Sequence, residues 1–204
     1  MVHTLNFELK HHDGEKGYSL YNIPRVVANQ QSLIESCMTA KRRFEIPFLG
    51  KSSTWMYRYY NTFGLTVGLP HFSDLLCDLN DIVRDHLQTD EPLWFQSWMN
   101  YHLPQEALDW HDHKECLAHG FFAIEPMDSK TVFGNYEVVN KVGQLYIGKP
   151  EKQHKVIINQ PYHGYRITIA FDIYDQRHID ETMQIHGDDA NLGMFPLGLN
   201  RSKS

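Results

Sequence analysis

The sequence predicts a mainly β fold, a double-stranded β-helix or jelly roll, with supporting helices ahead of it. Short β-rich runs recur after Pro92, at 93–102, 119–125, 131–139, 143–148, 154–158 and 165–174, each closed by turn residues. The stretch before Pro92 holds the clearest helical periodicity instead. With 42% hydrophobic and 13% aromatic residues, 204 positions suffice to bury a real core. The chain is therefore expected to form one domain over 1–204: a helical and extended part at 1–92, the jelly-roll core at 93–174 and an extension at 175–204.

In chain order, residues 5 to 30 read as short extended pieces broken by Asp13-Gly14 and by Pro24. Leu33, Ile34, Cys37 and Met38 recur at helical spacing and predict a helix over about 31–43. Trp55, Tyr57 and Tyr59 alternate, as on an aromatic core strand or the wall of a substrate pocket. The strongest helix runs from Ser73, a good N-cap, to Leu87. Phe72, Leu75, Leu76, Leu79, Ile82, Val83 and His86 share its apolar face, leaving Asp74, Asp78, Asp81 and Arg84 toward water. The polar turn Gln88-Thr89-Asp90-Glu91-Pro92 ends it, the β-rich runs follow, and the tail from Gly187 reads as loose.

Charge and composition remove several classes of function. A formal charge of −6 argues against nonspecific nucleic-acid binding, which needs Lys and Arg on phosphates, and Lys41-Arg42-Arg43 reads as a solvated helix end. No apolar run approaches membrane-spanning length, and the start lacks the apolar stretch of a secretory signal. Cys37, Cys77 and Cys116 are odd in number and far apart, as expected in a reducing, cytoplasmic setting rather than a disulfide scaffold. Asn200-Arg201-Ser202 then reads as a chance sequon.

Histidine stands out, with 13 copies, and neutral imidazole is the commonest metal ligand near neutral pH. Abundance also creates false motifs. About 1.6 His-x-Asp/Glu triplets are expected by chance, and four occur, beginning at His11, His113, His178 and His186. Order separates them, because a further ligand must come later on a neighbouring strand. Only the 111–115 cluster has such a partner, His154. If that segment is extended, His111, His113 and Glu115 share a face. Residues i and i+4 on a strand lie about 13 Å apart, so one ion takes either His111/His113 or His113/Glu115. The second choice completes a two-histidine, one-carboxylate facial triad, and the first gives a three-histidine face.

Residues 98–174 resemble the 2-oxoglutarate/Fe(II)-dependent oxygenases, particularly compact prolyl-hydroxylase-like members of bacteria and phages. The resemblance rests on the 111–115 cluster ahead of Gly120-Phe121-Phe122, and on Gly143-Gln144-Leu145 ahead of His154-Lys155-Val156. Arg166 then opens the run Ile167-Thr168-Ile169-Ala170-Phe171. Some compact members read His-x-His at the first site, which implies His111, His113 and His154 as ligands, with Glu115 the competing ligand. The resemblance further implies Fe(II), O2 and 2-oxoglutarate, the last decarboxylated to succinate as an unidentified substrate is oxidised, most simply by hydroxylation.

The far carboxylate of 2-oxoglutarate calls for a bidentate cationic fork, which arginine supplies better than lysine. Arg166 is assigned to it, with Thr168, Tyr101 and Tyr146 as candidate hydroxyl donors. Trp55, Tyr57, Tyr59 and His119 are candidates for the substrate wall. Two alternatives stand beside this reading. A cupin-type metalloenzyme would use the same histidines but give Arg166 no task. A non-enzymatic jelly-roll binding module would make the histidines incidental. The substrate, small or peptidyl, and the oligomeric state are not legible.

Overall fold

The computed structural model describes residues 6–44, 54, 61–106, 108–187 and 193–198. Trp55, Tyr57 and Tyr59 lie outside these residues. Among the described residues ten strands form two antiparallel sheets. The larger contains β1 (Glu8–Asp13), β2 (Tyr18–Asn22), β3 (Trp94–His102), β4 (Ala118–Glu125), β7 (Gln144–Gly148), β9 (Arg166–Tyr174) and β10 (Phe195–Pro196), in the order β1-β2-β7-β4-β9-β3-β10. The smaller contains β5 (Ser129–Phe133), β6 (Glu137–Val139) and β8 (His154–Ile158), in the order β6-β5-β8. From β3 onward the chain winds back and forth between the sheets, which is the path of a double-stranded β-helix.

Pleating divides the side chains of the large sheet. On β9, Ile167, Ile169, Phe171 and Ile173 point to the face covered by helices, and Arg166, Thr168, Ala170 and Asp172 point to the barrel interior. Both faces are covered, so all nine residues of β9 are buried. Helices α2 (Gln30–Arg43) and α4 (Phe72–Leu87) supply the cover through Leu33, Cys37, Ala40, Phe72, Leu75, Leu79, Ile82 and Val83. Each such large apolar side chain contributes about 1.5–3 kcal/mol on burial. Short helices α1 (Pro24–Ala28) and α3 (Thr62–Thr66) complete the layer.

Two glycines permit close backbone approach. A Cβ on Gly120 of β4 would meet the Phe171 ring at 2.3 Å and the Tyr146 carbonyl oxygen at 2.8 Å. Gly143 has φ +72, accepts a hydrogen bond from the Ile23 N–H, and has the Ile23 carbonyl where a Cβ would sit.

The structure departs from the sequence reading in several places. Ser73 is not the N-cap of α4. His71 holds that position in the left-handed region, without a side-chain cap. Asp78 and Arg84 do not face water. Asp78 accepts from Arg25 Nε at 2.7 Å, and Arg84 donates to the carbonyls of Thr89, Glu91 and Gly198, tying down the C-terminal segment. Pro24 begins a helix rather than merely breaking a strand, as suits a residue whose missing N–H is no loss at a helix start. The run 131–139 is a hairpin, β5 and β6. The C-terminal extension carries a helix, α5 (Gln176–His186), capped by the Asp175 carboxylate accepting from the His178 N–H at 2.9 Å.

Candidate metal centre

The segment after β3 crosses toward the small sheet and meets β8 at one isolated bridge, His111 to His154, with paired backbone hydrogen bonds of 3.1 and 2.9 Å. This places the two side chains on one face. His113 is held two residues further on by its N–H to the Pro150 carbonyl at 3.0 Å. One nitrogen from each of His111, His113 and His154 lies within 4.8 Å of the others. That spacing suits three ligands of a single ion.

The hydrogen bonds fix which nitrogen is available. His111 Nδ1 donates to the Asp109 carbonyl at 2.7 Å, and His154 Nδ1 donates to the Lys152 carbonyl at 3.0 Å. His113 Nδ1 meets Asp172 Oδ2 at 3.2 Å. Carbonyl and carboxylate oxygens only accept, so each ring carries a proton on Nδ1, and in the neutral ring the lone pair is then on Nε2. His113 Nε2 is buried and has no partner among the described residues. Burial lowers the His111 pKa. Burial, with the adjacent His119 and His111, pushes His154 down to about 2. Neutral imidazole is the ligating form, so the donor set fits a divalent transition metal.

Asp172 sits opposite His119 on β4 and accepts from its Nδ1 at 2.8 Å. Burial opposes ionisation of this carboxyl, but the contacts with His113 and His119 outweigh that and hold it well below the usual carboxylate range. His119 is pushed down to about 4, by burial first and then by His113. His113, His119 and Asp172 thus form a second cluster with ligand-type atoms within 4.8 Å. Its rings are parallel to within 8°, with centroids 3.7 Å apart. No point lies in both ring planes, so one ion cannot take both lone pairs in plane. Two hydrogen bonds onto one carboxylate account for the arrangement.

From the histidine cluster a pocket runs between the sheets, lined by Trp98, Asn100, Phe121, Thr131, Asn140 and Arg166 among others. Arg166 is 2% exposed. Its guanidinium reaches His102 Nδ1, its Nε is unpartnered, and no carboxylate pairs with it among the described residues. Burial pulls its pKa down to about 10, which leaves it charged at neutral pH. Burial and Arg166 push His102 down to about 4, so His102 is neutral and accepts from the arginine. Thr168 lines the same cavity, and its Oγ1 accepts from Asn100 Nδ2 at 3.4 Å.

Other sequence-based assignments land elsewhere. Glu115 is exposed and belongs to neither ligand cluster, because the chain turns after His113 and never carries it back to the site. Tyr101 lies on the opposite face of β3, its hydroxyl on Met38 and its ring stacked on Tyr165 at 4.0 Å, and so is removed from the cavity. Tyr146 faces the interior but belongs to an aromatic cluster with Tyr18 and Phe133, and its hydroxyl bonds Tyr136 at 2.9 Å. His119 lines the cavity but is engaged with Asp172. Sequence reasoning missed Asp172, His102 and Asn100. Two-residue alternation from Arg166 along β9 could have found Asp172, and alternation along β3 could have found Asn100 and His102.

The fold is a double-stranded β-helix with a cluster of three histidines inside it. No family model and no curated protein matches the sequence. Solved structures do share the fold. The non-heme alpha-ketoglutarate-dependent carbocyclase SnoK from nogalamycin biosynthesis superposes with a TM-score of 0.55 at 12% identity, over 79% of this chain and 81% of SnoK. HygX from Streptomyces hygroscopicus, with nickel and 2-oxoglutarate bound, gives 0.54 at 13%, over 80% and 84%. The non-heme monooxygenase ThoJ, a nickel complex, gives 0.51 at 14%, over 74% and 70%. At these identities the likeness is one of architecture.

Proposed function

We propose that this protein is an Fe(II)- and 2-oxoglutarate-dependent dioxygenase, acting as a hydroxylase on a substrate still to be identified. One observation carries the reading: three imidazoles, each with its Nδ1 hydrogen-bonded from behind, share a cavity with a buried arginine that has no acid partner among the described residues. A buried, uncompensated cation costs several kcal/mol, so Arg166 is suited to a ligand that brings its own carboxylate. The fold shared with SnoK and HygX supports the reading.

His111, His113 and His154 would hold Fe(II), which when bound supplies the redox chemistry that couples O2 and the keto acid to substrate oxidation. The protein's own part is positioning. Arg166 receives the far carboxylate of 2-oxoglutarate, Thr168 and Asn100 flank it with a hydroxyl and an amide, and His102 holds the guanidinium from behind. Trp98 lies along His113 at 5.5 Å and helps close the metal side of the cavity. A cupin-type metalloenzyme without 2-oxoglutarate leaves the buried Arg166 unexplained.

The test is anaerobic titration of metal-free protein with Fe(II) and then 2-oxoglutarate. A visible metal-to-ligand charge-transfer band, lost in His154→Ala, is expected. Bound iron without the band overturns the cosubstrate assignment, and no bound iron overturns the metal centre.

A further inference from the structure

The three-histidine set brings no negative charge to a bound dication, whereas a two-histidine, one-carboxylate set brings one. The charge is nevertheless close by. Asp172 is 4% exposed and lies behind His113, on the side of the ring opposite the free Nε2. Its two oxygens are divided between two parallel rings, Oδ2 to His113 Nδ1 at 3.2 Å and Oδ1 to His119 Nδ1 at 2.8 Å. Among the described residues no lysine or arginine pairs with it; its partners are the two imidazoles and the Cys116 thiol. A buried carboxylate without a lysine or arginine beside it is costly unless another cation lies within reach. A metal ion on Nε2 would be that cation, one ring away.

We propose that Asp172 is the charge-compensating carboxylate of this centre, moved from the ligand sphere to the rear of His113. It polarises His113 through Nδ1–H, strengthens the ring as a donor and lowers the net charge of the loaded site by one. His119 takes the other oxygen and keeps the carboxylate aimed at His113 and off the metal. This rests on the metal centre proposed above and adds a positioning residue that the ligand pattern does not contain. Partners of this kind typically change metal affinity by about 10- to 100-fold.

Metal-free protein is titrated with Co(II) against a competing chelator, and the Fe(III)/Fe(II) midpoint potential is measured at saturating iron. Asp172→Asn is expected to weaken Co(II) about 10- to 100-fold, leave the cobalt d–d band pattern unchanged and move the potential positive. Unchanged affinity overturns the proposal. So does weaker binding at unchanged potential, because a carboxylate that only supports the fold would leave the potential alone. If Asp172→Asn does not fold, His119→Gln decides. It leaves the charge on His113 and is expected to bind Co(II) at least as tightly as the wild type, whereas a loss of tenfold or more overturns the proposal. A wild-type protein that takes no metal overturns the metal centre itself. A wild type that binds Fe(II) and 2-oxoglutarate, beside an unaltered Asp172→Asn, overturns this inference alone.

Discussion

Replacing Arg166 with alanine separates the cosubstrate site from the metal site. The guanidinium is 2% exposed, spends one N–H on His102 and leaves its Nε without a partner. Two charge-assisted hydrogen bonds to a carboxylate, at about 1.5–3 kcal/mol each, are therefore at stake. Taking about 3 kcal/mol as the net loss, the Kd for 2-oxoglutarate should rise roughly 150-fold. Arg166→Lys keeps the charge but not the planar fork, and should fall between wild type and alanine. The assay is the amplitude of the charge-transfer band against 2-oxoglutarate under anaerobic conditions, with iron content measured on the same samples. Iron content should stay at the wild-type level, because Arg166 touches none of the three histidines. A wild-type Kd in Arg166→Ala would refute the assignment. Loss of iron would show that the arginine supports the metal site.

Four further outcomes are expected. His111→Ala and His154→Ala should lose tight Fe(II) binding in equilibrium dialysis, whereas Glu115→Ala should retain it, since Glu115 is exposed and outside the ligand cluster. His102→Leu should weaken 2-oxoglutarate about tenfold by freeing the arginine, with His102→Gln, which still offers an acceptor, restoring most of it. Gly120→Ala should destabilise the protein by about 1–3 kcal/mol in chemical denaturation, because its Cβ meets the Phe171 ring at 2.3 Å and backbone at 2.8 Å. Metal-free protein should lose stability as pH falls from about 6.5 toward 4. His102 is held down to about 4 by burial and Arg166, so the unfolded chain takes up the proton first, costing about 3 kcal/mol by the low end of that window. A denaturation midpoint flat between pH 7 and 4 would contradict this.

Much of this was legible in the sequence, for identifiable reasons. Strands β3, β4, β7, β8 and β9 announce themselves because alternation and turn residues are local signals, and α4 does so through a sustained 3.6-residue period. Order along the chain tied the 111–115 cluster to His154, the family resemblance favoured His111 and His113 over Glu115 within it, and the bridge between His111 and His154 brings those rings together. What escaped depends on tertiary partners. Asp78 and Arg84 look solvent-facing by helical phase alone, and only Arg25 and the carbonyls of distant loops make their burial tolerable. Tyr101 was assigned on its hydroxyl alone, without the strand alternation that turns it toward the helices and its neighbour His102 the other way. Asp172 was passed over inside an apolar run, where its partners lie 53 and 59 residues earlier. Helix α5 was missed because its charged, polar surface resembles a loop until the Asp175 cap is recognised.

Strand β9 carries Arg166 at one end of its interior face and Asp172 near the other, and it pairs with β3 over nine consecutive residues without a shift. Six residues of strand separate the two, about 20 Å by backbone rise. Because β9 is buried on both faces, that span behaves as a fixed gauge that neither stretches nor slips. A keto diacid bound as proposed, one end on the arginine and the other at the histidine cluster, would be held to that fixed spacing. On that reading homologues one methylene shorter or longer would forfeit a contact at one pole, and discrimination by chain length would come from the scaffold rather than from any single pocket residue.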